Sequence, residues 1–102
     1  MIEIKPEAQD DARREALYYD GQRYGLGADF LDGLLDAYTV VERQPQSFAR
    51  LQTAKPNREI RYYIMPRFPY SVVYELLQQR VVVLAIIHHK RGPRYWRRRL
   101  AP

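Results

Sequence analysis

No cysteine occurs in the 102 residues, so neither a disulfide framework nor thiol chemistry is open to this chain. Long apolar runs are also missing. The longest, residues 81–87 between Arg80 and His88, falls well short of the roughly 20 residues a membrane-spanning helix needs, and reads instead as a buried strand. Histidine is confined to His88 and His89. Neighbours on a strand point to opposite faces, so the two cannot grip one ion, and nothing else supplies the ligands zinc requires; no metal and no other cofactor is expected. There is no glycine-rich phosphate loop between a strand and a helix, which argues against nucleotide hydrolysis. The opening Met1-Ile2-Glu3-Ile4-Lys5 lacks the basic-then-apolar layout of a secretory signal, so a cytoplasmic address is expected. No internal repeat or low-complexity stretch appears.

Acidic residues are scarce in one half only. Residues 50–102 hold Glu59 and Glu75 against twelve Lys/Arg, whereas residues 1–49 hold ten Asp/Glu against five Lys/Arg. The net charge of +5 thus joins an acidic first half to a strongly basic second half. Clustered cations release counterions from nucleic acid or meet carboxylates on a protein, so the basic half points to a polyanionic or acidic partner.

The length is that of one compact domain, spanning residues 1–102. Residues 2–5 alternate as a short strand. Pro6 suits the first turn of a helix, with Glu7, Asp10 and Asp11 near its positive end. Ala8, Ala12 and Ala16 form a small-residue ridge that Leu17 and Tyr19 widen, and the helix should run to about Tyr24 before Gly25-Leu26-Gly27 breaks it. In a second helix Phe30, Leu31, Leu34, Leu35, Tyr38 and Val41 recur at spacings of three and four, which marks their face as core. Residues 44–57 read as a long loop that Phe48 and Leu51 pin to the body. Three strand candidates follow, at 58–64, 70–77 and 80–88, the last two joined by Gln78-Gln79. This is an α+β order, with a helical hairpin on one face of an antiparallel sheet and the other face free.

The candidate chemistry lies in arginines interleaved with aromatic rings and histidine. Alternation along 58–64 puts Arg58, Ile60 and Tyr62 on one face and Glu59, Arg61 and Tyr63 on the other. Arg67 follows, and the tail collects His88, His89, Lys90, Arg91, Arg94, Tyr95, Trp96, Arg97, Arg98 and Arg99. Guanidinium groups pair with phosphates and aromatic faces stack unpaired bases, so this composition fits an RNA-binding surface; a surface built for an acidic protein has the same composition. A metal-independent ribonuclease would use His88 or His89 for proton transfer with Tyr95 assisting, and Arg58 or Arg61 on the phosphate.

The ordered set Tyr18-Tyr19, Gly25-Leu26-Gly27 with Phe30-Leu31, Arg67-Phe68-Pro69-Tyr70-Ser71-Val72-Val73-Tyr74, Val83-Leu84-Ala85-Ile86-Ile87-His88 and Arg91-Gly92-Pro93-Arg94-Tyr95-Trp96 resembles the RelE/ParE superfamily of type II toxins, often labelled plasmid stabilisation proteins. The resemblance covers almost the whole chain. It implies a β-α-α-β-β-β toxin, neutralised by a cognate antitoxin that wraps it and represses the shared operon, so that operator DNA is met only through the antitoxin. RelE-like members cut messenger RNA in the ribosomal A site, and ParE-like members poison DNA gyrase. RNA-cutting members carry an arginine in the strand that ends in a tyrosine like Tyr74, where this chain has Ser71; His88 and Tyr95 fall where such members place terminal catalytic groups, with Arg61 as a candidate third member. The ParE-like side needs no catalytic set, and there the basic residues Arg58, Arg61, Arg67, Lys90, Arg91, Arg94, Trp96, Arg97 and Arg98 are candidates to meet target or nucleic acid. A non-toxic binding module that kept the fold is the third reading.

Overall fold

The computed structural model describes residues 1–52, 55, 57–78, 80–91, 95, 98 and 99. The elements run β1 (Ile2–Ile4), α1 (Pro6–Gln22), α2 (Leu26–Arg43), β2 (Ala49–Arg50), β3 (Ile60–Ile64), β4 (Tyr70–Leu77) and β5 (Arg80–His88). The strands form one sheet in the order β1-β5-β4-β3-β2, with the helical hairpin packed on one face. β2, β3, β4 and β5 pair antiparallel, but β1 pairs parallel with β5, Ile2 opposite Val81 and Ile4 opposite Val83. The sheet is therefore mixed. Strand order explains it: β5 and β3 run the same way, and the helical hairpin carries the chain from β1 across the sheet.

α1 starts at Pro6, whose missing N–H is no loss in a first turn, and buries Ala8, Ala12 and Ala16. These small side chains bring α1 close to its neighbours. Within Gly25-Leu26-Gly27 it is Gly25 that takes the left-handed conformation, with φ 87°, and it ends the link; Leu26 and Gly27 already belong to α2. Gly27 serves a different purpose. A Cβ there would lie 2.4 Å from the Ala16 carbonyl oxygen and 2.8 Å from the Asp20 carboxylate, and the Gly27 N–H donates to Asp20 Oδ1 at 2.8 Å. The first turn of α2 is thus capped by a side chain of α1, since its own N-cap, Gly25, offers none.

The buried face of α2 is narrower than its apolar stripe. Phe30, Leu34, Ala37 and Val41 are core, but Leu31 is exposed and Leu35 is 61% exposed, as is Leu17 of α1 at 72%. An apolar stripe of that width exceeds what one sheet face can cover. Tyr19, Phe30, Phe68 and Tyr70 pack as an aromatic cluster with centroids 5.1–6.2 Å apart.

The loop expected at 44–57 contains the two-residue strand β2, with Ala49 opposite Tyr62 and Arg50 opposite Arg61. Phe48 does pin it, edge-on to Tyr63 at 4.8 Å, as does buried Leu51. The strand expected from Arg58 begins at Ile60. The second sheet face is not free: Ile60, Val73, Ala85 and Ile87 form a smaller apolar cluster there, with Leu51, Tyr62, Leu84 and Tyr95 against it. The β4–β5 hairpin turns in two residues, Leu77 opposite Arg80, with Gln78 at φ 51°. That supplies the left-handed geometry without glycine, and Gln79 lies outside the described residues.

Buried phenols hold the hairpin and loop together. Tyr74 donates its hydroxyl to the Pro45 carbonyl at 2.5 Å, and Tyr70 donates to the Glu15 carboxylate. Burial pushes the Tyr74 and Tyr38 phenols up to about 12; burial, and then the hydrogen bond to Glu15, pushes Tyr70 up as well. A phenol raised on folding adds stability that is fully present below its unfolded pKa and is lost as pH rises through the folded one. Spectrophotometric titration between pH 9 and 11 is therefore expected to show the same phenolate signal in the wild type and in Tyr38→Phe, Tyr70→Phe and Tyr74→Phe; a smaller signal in any variant contradicts its assigned burial. Gly27→Ala should cost about 1–3 kcal/mol by overpacking, whereas Gly21→Ala, with open space around it, should gain about 0.5–1 kcal/mol. Equal denaturation midpoints for the two would refute the close approach at Gly27. Replacing Gln78 by Gly should raise stability by up to about 1 kcal/mol by relieving the left-handed strain, read from the thermal midpoint.

Candidate functional site

A cavity of about 430 Å³ opens where α1 passes the far end of β5. Arg14, Glu15, Tyr18 and Tyr19 line it from α1, Tyr70 from β4, Ile86, Ile87 and His88 from β5, and Lys90, Arg91 and Tyr95 from the segment beyond. Four candidates from the sequence, His88, Lys90, Arg91 and Tyr95, thus come together. His88 stands edge-on to Tyr70 at 4.9 Å, and its Nδ1 accepts the Lys90 backbone N–H at 3.0 Å. That bond fixes the ring and occupies one of its two nitrogens. His89 is exposed and does not line the cavity, and its N–H is donated to the Pro69 carbonyl. Tyr95 lies beneath the Arg91 guanidinium at 4.7 Å, and its hydroxyl accepts from Arg99 Nη1 at 3.0 Å.

Other candidates lie elsewhere and are engaged. Arg61 donates to the Glu59 carboxylate at 2.9 Å and to the Phe48 carbonyl at 2.6 Å, which ties the β2 loop to β3 and leaves Arg61 off the cavity wall. Arg58 forks onto Glu75 through Nε at 2.9 Å and Nη2 at 2.7 Å. The hydrogen bond from Arg58 holds the Glu75 carboxyl below the usual carboxylate range despite its burial. Ser71, where RNA-cutting relatives have arginine, is buried on β4 between Ile64 and Ile87. Arg67, stacked over Phe68 at 5.8 Å, sits at the same end of the sheet as Lys90 and Arg91, because Tyr70 pairs with His88. Among the described residues Lys90 and Arg67 have no ionic partner, so this end of the sheet carries uncompensated positive charge. Arg94, Trp96 and Arg97 lie outside the described residues.

The residue that sequence reasoning missed is Asp11. It is 2% exposed, and its Oδ2 accepts the Ile86 backbone N–H at 3.0 Å. Arg14 Nη2 meets Oδ1 at 3.0 Å, and Arg99 meets both oxygens at 3.1 Å. Hydrogen bonding to Asp11 holds the Arg99 guanidinium above its ordinary pKa although burial opposes this. Position 11 falls on the same stripe as Ala8 and Ala12, and an acidic residue on a buried ridge was the available signal. Among the described residues no three His, Asp or Glu side chains gather around one point that could hold a metal ion, and no helix is long and apolar enough to cross a membrane.

No curated protein matches the sequence. Among solved structures, a chain of the chromosomal ParDE TA system from P. aeruginosa superposes with a TM-score of 0.62 at 17% identity, covering 85% of this chain and 92% of that one, which shows a shared fold. The family model described as "ParE toxin of type II toxin-antitoxin system, parDE" matches residues 2–93, a span that includes the sheet, both helices and all of the cavity lining except Tyr95. The chain belongs to the ParE toxin family of type II toxin–antitoxin systems.

Proposed function

We propose that this toxin arrests growth by poisoning DNA gyrase in the cytoplasm, as a binding inhibitor rather than an enzyme, and that a cognate antitoxin neutralises it and carries any contact with operator DNA. The observation that supports this best is the combination of the family match with the neutral, buried Ser71. A stoichiometric inhibitor needs binding energy and orientation, not a proton-transfer pair. The exposed cations Arg67, Lys90 and Arg91 suit that task, since uncompensated charge steers association with an acidic surface and sets its salt dependence.

The alternative, a ribosome-dependent messenger RNA endonuclease, draws on His88, Lys90, Arg91 and Tyr95 around one cavity. It asks for cations around a phosphate and two free proton-transfer groups. Arg61 is committed to Glu59 and Phe48, the Tyr95 hydroxyl accepts from Arg99, and His88 Nδ1 is occupied.

Inducing the gene alone should arrest growth with accumulation of cleaved gyrase–DNA complexes and intact transcripts, and co-expression of the neighbouring antitoxin should restore growth. Reversing charge with Lys90→Glu and Arg91→Glu together should raise the toxin concentration needed for those complexes at least about tenfold, an effect that shrinks with added salt. Codon-phased transcript cuts that disappear in His88→Ala would establish the nuclease instead, and harmless expression would point to a binding module that kept only the fold.

A further inference from the structure

We infer that Asp11 and Arg99 are a positioning pair, which fixes Tyr95 on the wall of the cavity and thereby holds the target-facing end of the toxin in its active arrangement. This rests on the reading above, that the basic end of the sheet meets the target.

Arg99 is 88 residues from Asp11 in sequence, and both of its terminal nitrogens reach the carboxylate: Nη1 to Oδ1 and Nη2 to Oδ2, each at 3.1 Å. The same two nitrogens carry two further bonds. Nη2 donates to the Leu84 carbonyl at 3.3 Å and Nη1 to the Tyr95 hydroxyl at 3.0 Å. One planar guanidinium therefore joins helix α1, strand β5 and Tyr95. The Tyr95 ring is held from both sides of the segment, with Arg91 4.7 Å and Arg99 5.8 Å from its centroid. It also packs against the apolar cluster of the second sheet face.

Three features separate this arrangement from an ordinary surface ion pair. The Asp11 side chain is 2% exposed, so the contact is not screened as a surface pair would be. Buried ion pairs contribute little net stability relative to apolar packing, and what they best provide is a unique arrangement. Arg98, the preceding residue, is exposed and has no partner among the described residues, so the clasp belongs to one arginine of the run and not to its charge in general. Lysine cannot replace it. A point charge on a flexible stem can meet one carboxylate oxygen but cannot fork onto Asp11 while also reaching Leu84 and Tyr95.

The test compares the full-length wild type with Arg99→Ala and Arg99→Lys, using the Tyr95 ring signals and the Ile86 amide in NMR, and the inducer concentration that arrests growth. In Arg99→Ala the Ile86 amide should stay protected within about threefold, because Asp11 still accepts it, while the Tyr95 ring moves to averaged, solvent-like shifts. Growth arrest should then need at least about tenfold more toxin, and Arg99→Lys should recover folding without recovering either Tyr95 or potency. Should Arg99→Ala not fold, Arg99→Lys alone carries both readouts. A Tyr95 ring that keeps its wild-type shifts in the variants, or a freed ring with potency within twofold of wild type, overturns the inference. Gyrase–DNA complexes scored in the same cells report on the reading it rests on: a wild type that arrests growth without them removes gyrase and leaves the pair standing or falling on growth and Tyr95.

Discussion

A strand whose edge outruns its neighbour must find partners for its backbone, and this constraint organises the protein. β1 covers β5 only from Val81 to Val83, whereas β5 continues to His88. Just past the last paired residue the ladder to β4 slips, with Val73 opposite Ala85 and Tyr74 opposite Val83, so that Leu84 is the extra residue of a bulge. The Leu84 carbonyl and Ile86 N–H are left on an edge that α1 lies across. Burying them unpaired would cost on the order of 1–3 kcal/mol each. Asp11 takes the N–H, Arg99 takes the carbonyl, and the two neutralise one another. The cost of a buried carboxylate is thereby offset by four hydrogen bonds in all, one of them from Arg14.

The same knot couples the fold to the cavity and its basic rim. Arg14 and Glu15, next along α1, line the cavity, and Glu15 takes the Tyr70 hydroxyl within it. Tyr70 in turn packs on His88, and His88 receives the Lys90 backbone N–H that turns the chain toward Arg91. A displacement of α1 at Asp11 would therefore reach the basic rim through contacts that are each short and directional. The charge segregation of the sequence has a structural meaning here. Among the second-half arginines, Arg58, Arg61 and Arg99 are bound to carboxylates and carbonyls, and exposed positive charge at this end comes from Arg67, Lys90 and Arg91.

Local pattern carried most of the architecture. Alanine spacing gave α1, the three-and-four repeat gave α2, and β4 and β5 appeared at the expected residues. What failed was nonlocal. Parallel pairing of β1 depends on how the chain returns after two helices, and β2 is two residues with no alternation of its own. Leu31 and Leu35 fall on the periodic face of α2 yet are exposed, because periodicity measures the width of an apolar stripe, not the width of the surface available to cover it. In the site, the gathering of His88, Lys90, Arg91 and Tyr95 followed from sequence proximity around the end of β5. The different fates of Arg98 and Arg99 did not, because adjacent identical residues carry no mark of which one faces a buried acid. Asp11 was hidden by a plausible local role near a helix N-terminus.

The claim that this carboxylate and guanidinium act as one unit is open to a double-mutant cycle by equilibrium denaturation on Asp11→Asn, Arg99→Ala and the combination. The account predicts a coupling energy of about 1–3 kcal/mol, the double variant being far less destabilised than the sum of the singles. Additivity within about 0.5 kcal/mol would contradict it.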